Sequence, residues 1–228
     1  MNRRNILIGL GVVAAGAAGG AYWLYSGRMA PQTASETAPT GTTTLATASG
    51  EMPIFEDDRI LGDAAAPVTI LEYSSLTCPH CAAFHSDTLP QVKAEWIDSG
   101  RARLVYRHYP LDQVALRAAA VANCIPGNGF FGFLDVLFAN QTKWAQSQDP
   151  FTVIAQYAAL AGLDKAAFEA CLNDEAVIDR ILELQSDGRA KYDVASTPTF
   201  VVNGTPVAGN RSYEEFNSIL ESAATAAS

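Results

Sequence analysis

The sequence predicts an α/β fold in which a small central sheet is interrupted by an inserted α-helical subdomain. Three observations carry that prediction. Val68-Thr69-Ile70-Leu71-Glu72-Tyr73 is a β-branched, apolar run bounded by turn-forming residues, the pattern of a buried strand. From Asp112 to Tyr192 apolar residues recur at helical spacing and strand signals vanish. Thr199-Phe200-Val201-Val202 then meets Asn203-Gly204, the strongest short hairpin signal, and returns through Thr205-Pro206-Val207.

Taken in order, residues 1–25 open with Arg3 and Arg4 and continue in an uncharged run from Ile6 to Tyr25, twenty residues long. Such a run spans a bilayer core with the arginines on the cytoplasmic side, and Tyr22, Trp23 and Tyr25 fit an interfacial belt. A cleaved signal peptide ending in Ala15-Gly16-Ala17 is the other reading. No cysteine follows the run to take a lipid, and Asn2 and Asn5 flank Arg3-Arg4 poorly for a twin-arginine signal. Membrane anchor or signal peptide, either reading sends the rest of the chain to a periplasmic or other extracytoplasmic compartment. Residues 26–50, rich in Thr, Ala, Ser, Pro and Gly, read as a flexible linker.

The folded domain is expected over residues 51–228, with the helical insertion at about 112–192. After the first strand, Phe84, Leu89, Val92, Trp96 and Ile97 recur near helical spacing, with a kink expected at Pro90. Leu104-Val105-Tyr106 reads as a second strand. Within the insertion Phe130, Phe133, Leu134, Leu137 and Phe138 make one apolar face, and Asp164 caps a short helix running through Leu172. Pro206 confines the last strand to a sheet edge. Ser212 and Glu215 form a capping box for a closing helix that carries Phe216, Ile219 and Leu220.

Composition narrows the function classes. The chain has 228 residues, 49% hydrophobic and 17% charged, enough for one well-buried core. Its net charge is −9. Residues 1–50 hold three arginines and one glutamate, which leaves −11 on the remainder. That charge repels phosphate backbones, so no nucleic-acid partner is expected. Four cysteines in an exported chain are expected to be oxidised or to perform redox chemistry.

The chemistry centres on Cys78-Pro79-His80-Cys81, placed where the first strand feeds a helix. Disulfides exchange by thiolate attack, so one thiol must ionise near neutral pH. A helix N-terminus stabilises that anion with unpaired N–H groups and the positive end of its dipole. Pro79 suits the first turn because its missing N–H is not needed there. Cys78 is expected to be the exposed nucleophile and Cys81, one turn on, the more buried resolving thiol. A protonated His80 would lower the Cys78 pKa further. Thr197-Pro198, before a strand, is a candidate cis bond whose loop would lie beside the Cys78 sulfur. Glu72 is a candidate buried carboxylate serving the Cys81 proton, its alternative being a partly solvated strand-end acid.

Cys-Pro-His-Cys after a buried strand, with Ser-Thr-Pro-Thr-Phe-Val-Val-Asn-Gly near the C-terminus, resembles the DsbA family of thioredoxin-fold oxidoreductases. The resemblance runs from about Glu51 to the end. It implies a thioredoxin-like fold with an inserted helical subdomain and an active site of Cys78, Pro79, His80, Cys81, Thr197 and Pro198, with Glu72 as the buried acid. It also implies exported substrates with free thiols and reoxidation by a quinone-linked membrane partner similar to DsbB. One position departs from the archetypal oxidase: Thr197 stands where that enzyme has valine, and threonine is common among the related isomerases and reductases. Donation of disulfides to exported proteins through Cys78 and Cys81 is the leading expectation, and Thr197 keeps a reductase or isomerase on the same fold as the alternative.

Cys124 and Cys171 are expected to bridge as a structural disulfide, which on the chain-entropy view stabilises by about 4 kcal/mol for a loop of about 48 residues. A redox-tuning role for that bridge is the alternative. No cofactor is called for. A copper or zinc metallochaperone using Cys78, Cys81 and His85 is the competing class, although it lacks a fourth ligand. His85 and His108 are otherwise expected at the surface.

Overall fold

The structure is a computed structural model and describes residues 52–227. The anchor or signal segment and the linker assigned to residues 1–50 lie outside the described residues. Among those described, no helix is long and apolar enough to cross a membrane.

The sheet has the order β1-β3-β2-β4-β5, so β2 (Val68–Ser74) is its central strand. All seven residues of β2 are buried, Glu72 and Ser74 among them, as befits a central strand covered on both faces. It runs parallel to β3 (Ala102–His108) and antiparallel to β4 (Thr199–Val202). The β4–β5 hairpin turns at Asn203 and Gly204, both at positive φ, and β5 (Thr205–Ala208) takes the edge that Pro206 demanded. β1 (Arg59–Leu61), antiparallel to β3, closes the other edge. Only three residues long and half-buried, it shows no periodicity and is missing from the sequence reading.

From Pro79 the chain is helical to residue 97. α1 (Pro79–Ala83) and α2 (Leu89–Val92) are joined by a wide π-helical turn, Phe84–Thr88, and a second such turn follows at Lys93–Ile97. The helix runs on through Pro90, because the wide turn precedes it and its missing N–H falls in the first turn of α2. The inserted subdomain comprises α3 (Gln113–Asn123), α4 (Phe130–Ala139), α5 (Gln141–Ala145), α6 (Pro150–Leu160), α7 (Lys165–Leu172) and α8 (Glu175–Tyr192). Asp112, Asp149, Asp164 and Asp174 cap α3, α6, α7 and α8, each side chain accepting from backbone N–H groups of the first turn. A disulfide between Cys124 and Cys171 ties the end of α3 to α7, as expected. Ser212 and Glu215 complete the capping box of α9 (Tyr213–Ala226).

Three apolar clusters result. One fills the insertion and reaches Cys78 and Cys81. The second lies between the sheet, the 79–97 helix and α9 around Phe84, Trp96, Phe200 and Phe216. The third joins Leu71, Tyr73, Val105 and Val201 to Tyr109 and Val194. Gly188 lets α8 approach β2: a Cβ there would stand 2.6 Å from Cε1 of Tyr73.

Candidate active site

Cys78 is the N-cap of α1 and Pro79 its first helical residue, so the sulfur sits at a helix start as the sequence predicts. The backbone N–H groups of His80 and Cys81 at this helix start favour its anion. The Thr197-Pro198 bond is cis. The Cys78 thiol donates to the Thr197 carbonyl at 3.3 Å, which brings together two segments 119 residues apart. When the sulfur ionises that carbonyl loses its donor. The buried Thr197 hydroxyl, which bonds nothing else, is then the group from this loop that favours the anion.

The Cys78 pKa is lowered to about 5. The hydrogen bond from the Cys81 thiol does most, burial opposes it, and the Thr197 side chain and the N–H groups of Cys81 and His80 add to it. Cys81 moves the other way. Burial raises it most, the neighbouring Cys78 thiolate and the Glu72 carboxylate raise it further, and the Ser74 hydroxyl offsets only part. Two thiols one helical turn apart are thus split into a stable thiolate and a reluctant one. Cys78 is 5% exposed and Cys81 0%, so the expected order of exposure holds, but Cys78 is more sheltered than expected. The imidazole of His80 is exposed, and what this residue lends the sulfur is its backbone N–H.

Glu72 lies on β2 and is fully buried, which removes the reading of a partly solvated acid. Its Oε1 meets Nε2 of His85 at 3.1 Å, while Oε2 has no hydrogen-bond partner. His85 and His108, expected at the surface, are both buried. The π-helical turn explains the first. It widens the helix so that the consecutive residues Phe84 and His85 both face inward, where one would otherwise be carried outward. The second follows from register: β3 continues past Tyr106, and His108 lies opposite Ser74 on the central strand. Burial, with the charge of Arg59 nearby, drives the His108 pKa down to about 3, which leaves it a neutral aromatic packed on Tyr106 and Phe130.

Gln141 is a positioning residue that sequence reasoning missed. Its Nε2 donates to the carbonyls of Leu76 and Cys78 at 2.8 and 3.0 Å, so α5 of the insertion holds the loop that carries Cys78. No local signal marks it, since the contact spans more than sixty residues. Thr77 is also tied to the insertion, through its hydroxyl to the Asp112 carboxylate at 2.7 Å. Among the described residues no three His, Cys, Asp or Glu side chains are placed to hold a metal ion, and His85 turns to Glu72 instead of completing a ligand set with the cysteines.

A redox-suited pair of cysteines at a helix start, faced by a cis-proline loop, is the arrangement a family comparison can test. The sequence pattern of the thioredoxin family matches residues 55–222. The chain belongs to that family. Within it, the chain is similar to the DsbA proteins. The Wolbachia pipientis α-DsbA1 crystal structure is 29% identical and superposes with a TM-score of 0.73, covering 79% of this chain and 98% of that one. BdbD from Bacillus subtilis shares the fold at 23% identity and a TM-score of 0.65, over 76% of this chain and 96% of that one. Relatives from Rickettsia felis and Rickettsia conorii, named as candidate protein-disulfide oxidoreductases, are 28% and 31% identical over 75% of this chain. The chain spans 61% of the length of each of those two relatives. The thioredoxin-like fold with its inserted helical subdomain is thereby established.

Proposed function

We propose that this protein is an extracytoplasmic thiol–disulfide oxidoreductase that donates the Cys78–Cys81 disulfide to exported proteins with free thiols. The observation that carries the reading is the placement of the two sulfurs: Cys78 at the helix start against the Thr197 carbonyl, its pKa lowered to about 5, and Cys81 fully buried, its pKa raised by that burial. A substrate thiolate attacks the Cys78 sulfur of the oxidised pair, and Cys81 leaves and is protonated. A second substrate thiol then attacks the mixed disulfide and expels Cys78 as its stable thiolate. The substrate gains a disulfide and the enzyme keeps both electrons as a dithiol. A good leaving group makes a good oxidant. Catalytic roles fall to Cys78 and Cys81. Pro79, His80, Thr197 and Pro198 shape the sulfur's surroundings, and Glu72 serves the Cys81 proton. The arginine-led apolar segment at residues 6–25 and the DsbA likeness support an extracytoplasmic location and a quinone-linked membrane reoxidant. The Cys124–Cys171 bridge, remote in sequence from the pair, serves as a staple of the insertion.

Equilibration of the full chain with glutathione buffers tests the reading. A potential well above the thioredoxin value of about −270 mV is expected. Thr197 favours one other reading, a reductase or isomerase, and a potential at or below that value would establish it in place of the oxidase.

A further inference from the structure

Deepening that reading, we propose that His85 and Asp135 form the solvent end of a proton relay that serves Cys81 through Glu72. Cys81 is sealed at 0% exposure, so water cannot take its proton directly. Glu72 is equally sealed and has one oxygen, Oε2, without a partner. Its other oxygen holds Nε2 of His85 at 3.1 Å. On the far side of the ring, Nδ1 is buried without a hydrogen bond, and Oδ1 of Asp135 lies 3.9 Å away. The Asp135 side chain is 66% exposed on α4, so this carboxylate meets both the ring and water. An acid, an imidazole and a surface carboxylate therefore run in series from the buried thiol region to water.

The groups facing His85 are Glu72 from β2, Tyr106 from β3, and Asp135 and Phe138 from α4. Burial disfavours its protonated form, but the two carboxylates outweigh this and hold its pKa up to about 9, so at neutral pH the ring rests as an imidazolium against Glu72. The proton count closes. When Cys81 attacks the Cys78 sulfur of a mixed disulfide, its S–H proton passes to Glu72 and the new S–S bond forms as the other thiolate leaves. The neutralised Glu72 no longer stabilises the imidazolium, which releases its Nδ1 proton to Asp135 and water. The pair has gone from minus and plus to two neutral groups, so no unpaired charge is left in the core at either stage. The reverse sequence protonates Cys81 when a substrate displaces it from Cys78. His85 and Asp135 act through Glu72 and are positioning residues.

The test uses the full chain with Cys78 held as a mixed disulfide with thionitrobenzoate, whose coloured anion is released when Cys81 attacks. His85→Gln keeps a donor for Glu72 but has nothing in place of Nδ1. Asp135→Asn changes only an exposed group. Release is expected to slow about a hundredfold in His85→Gln, the lower end of the range for general acid–base groups, and by a smaller factor in Asp135→Asn, where water substitutes in part. In both variants the rate should recover with added imidazole buffer, which the parent ignores. Slowing without buffer rescue, or no slowing at all, overturns the relay. If the parent itself fails to release the anion, the exchange reading falls with it; if the parent releases and the variants match it, the relay alone falls.

Discussion

Replacing Cys81 by alanine measures how the thiolate at Cys78 is stabilised. The Cys81 thiol is the largest of the groups that lower its pKa, ahead of the Thr197 side chain and the N–H groups of Cys81 and His80. The last three survive the substitution, since the backbone N–H of residue 81 remains. A hydrogen bond to a charged acceptor is worth about 1.5–3 kcal/mol. At about 1.4 kcal/mol per pH unit, its loss raises the pKa by about one to two. From about 5, the Cys78 sulfur of Cys81→Ala should therefore ionise at about 6–7. Thiolate absorbance in the ultraviolet, titrated against pH with a Cys78→Ser control, reads this directly, and the pH dependence of alkylation by iodoacetamide gives an independent value. An unchanged pKa would show that the helix end and the Thr197 loop alone hold the charge. Ionisation above about 8, that of an ordinary thiol, would show that they contribute nothing, and either result refutes the reasoning.

Further expectations concern stability. The folded reduced protein has Cys78 lowered to about 5, below its unfolded value, so this group's contribution is complete above about pH 8.5 and is lost as pH falls through 5. Urea unfolding of the reduced protein against Cys78→Ser should show a gap that widens with pH between those limits, by at most about 1.4 kcal/mol per pH unit; a gap constant with pH would contradict the lowered pKa. In Gln141→Leu the Cys78 carbonyl keeps bonds from the N–H groups of Cys81 and Ala82, whereas that of Leu76 is left bare. The expected cost is about 2 kcal/mol, and chemical denaturation giving less than about 0.5 kcal/mol would mean that the contact does not hold the loop. Gly188→Ala drives a methyl into the Tyr73 ring, and despite the better helix propensity of alanine it should destabilise by about 1–3 kcal/mol. A stabilised Gly188→Ala protein would show that α8 does not lie so close to the sheet.

Much of the site is legible residue by residue. Cys78, Pro79 and Cys81 announce themselves because a strand ending, a helix start and a two-residue spacing are local facts, and Thr197-Pro198 stands out as a proline just ahead of a strand. The hairpin at Asn203-Gly204 and the capping box at Ser212 are equally local. His85 was half visible: it lies one helical turn beyond Cys81, but only the wide turn at Phe84–Thr88 and the carboxylate of Glu72 make a buried histidine of it. His108 was misread because the end of β3 is set by its partner strand and not by its own composition.

The sequence by itself marks the buried strand at Val68, the hairpin at Asn203-Gly204, the helical stretch between them and the cysteine pair at a helix start, since each follows from periodicity, capping and spacing within a few turns of chain. Tertiary structure alone decides what surrounds those sulfurs: the Thr197 loop over Cys78, the grip of Gln141, and the chain of contacts from Glu72 through His85 towards Asp135. The reason is physical. Burial and hydrogen bonding between segments distant in sequence set the pKa values of Cys78 and Cys81, and neither is a property of any short stretch of residues.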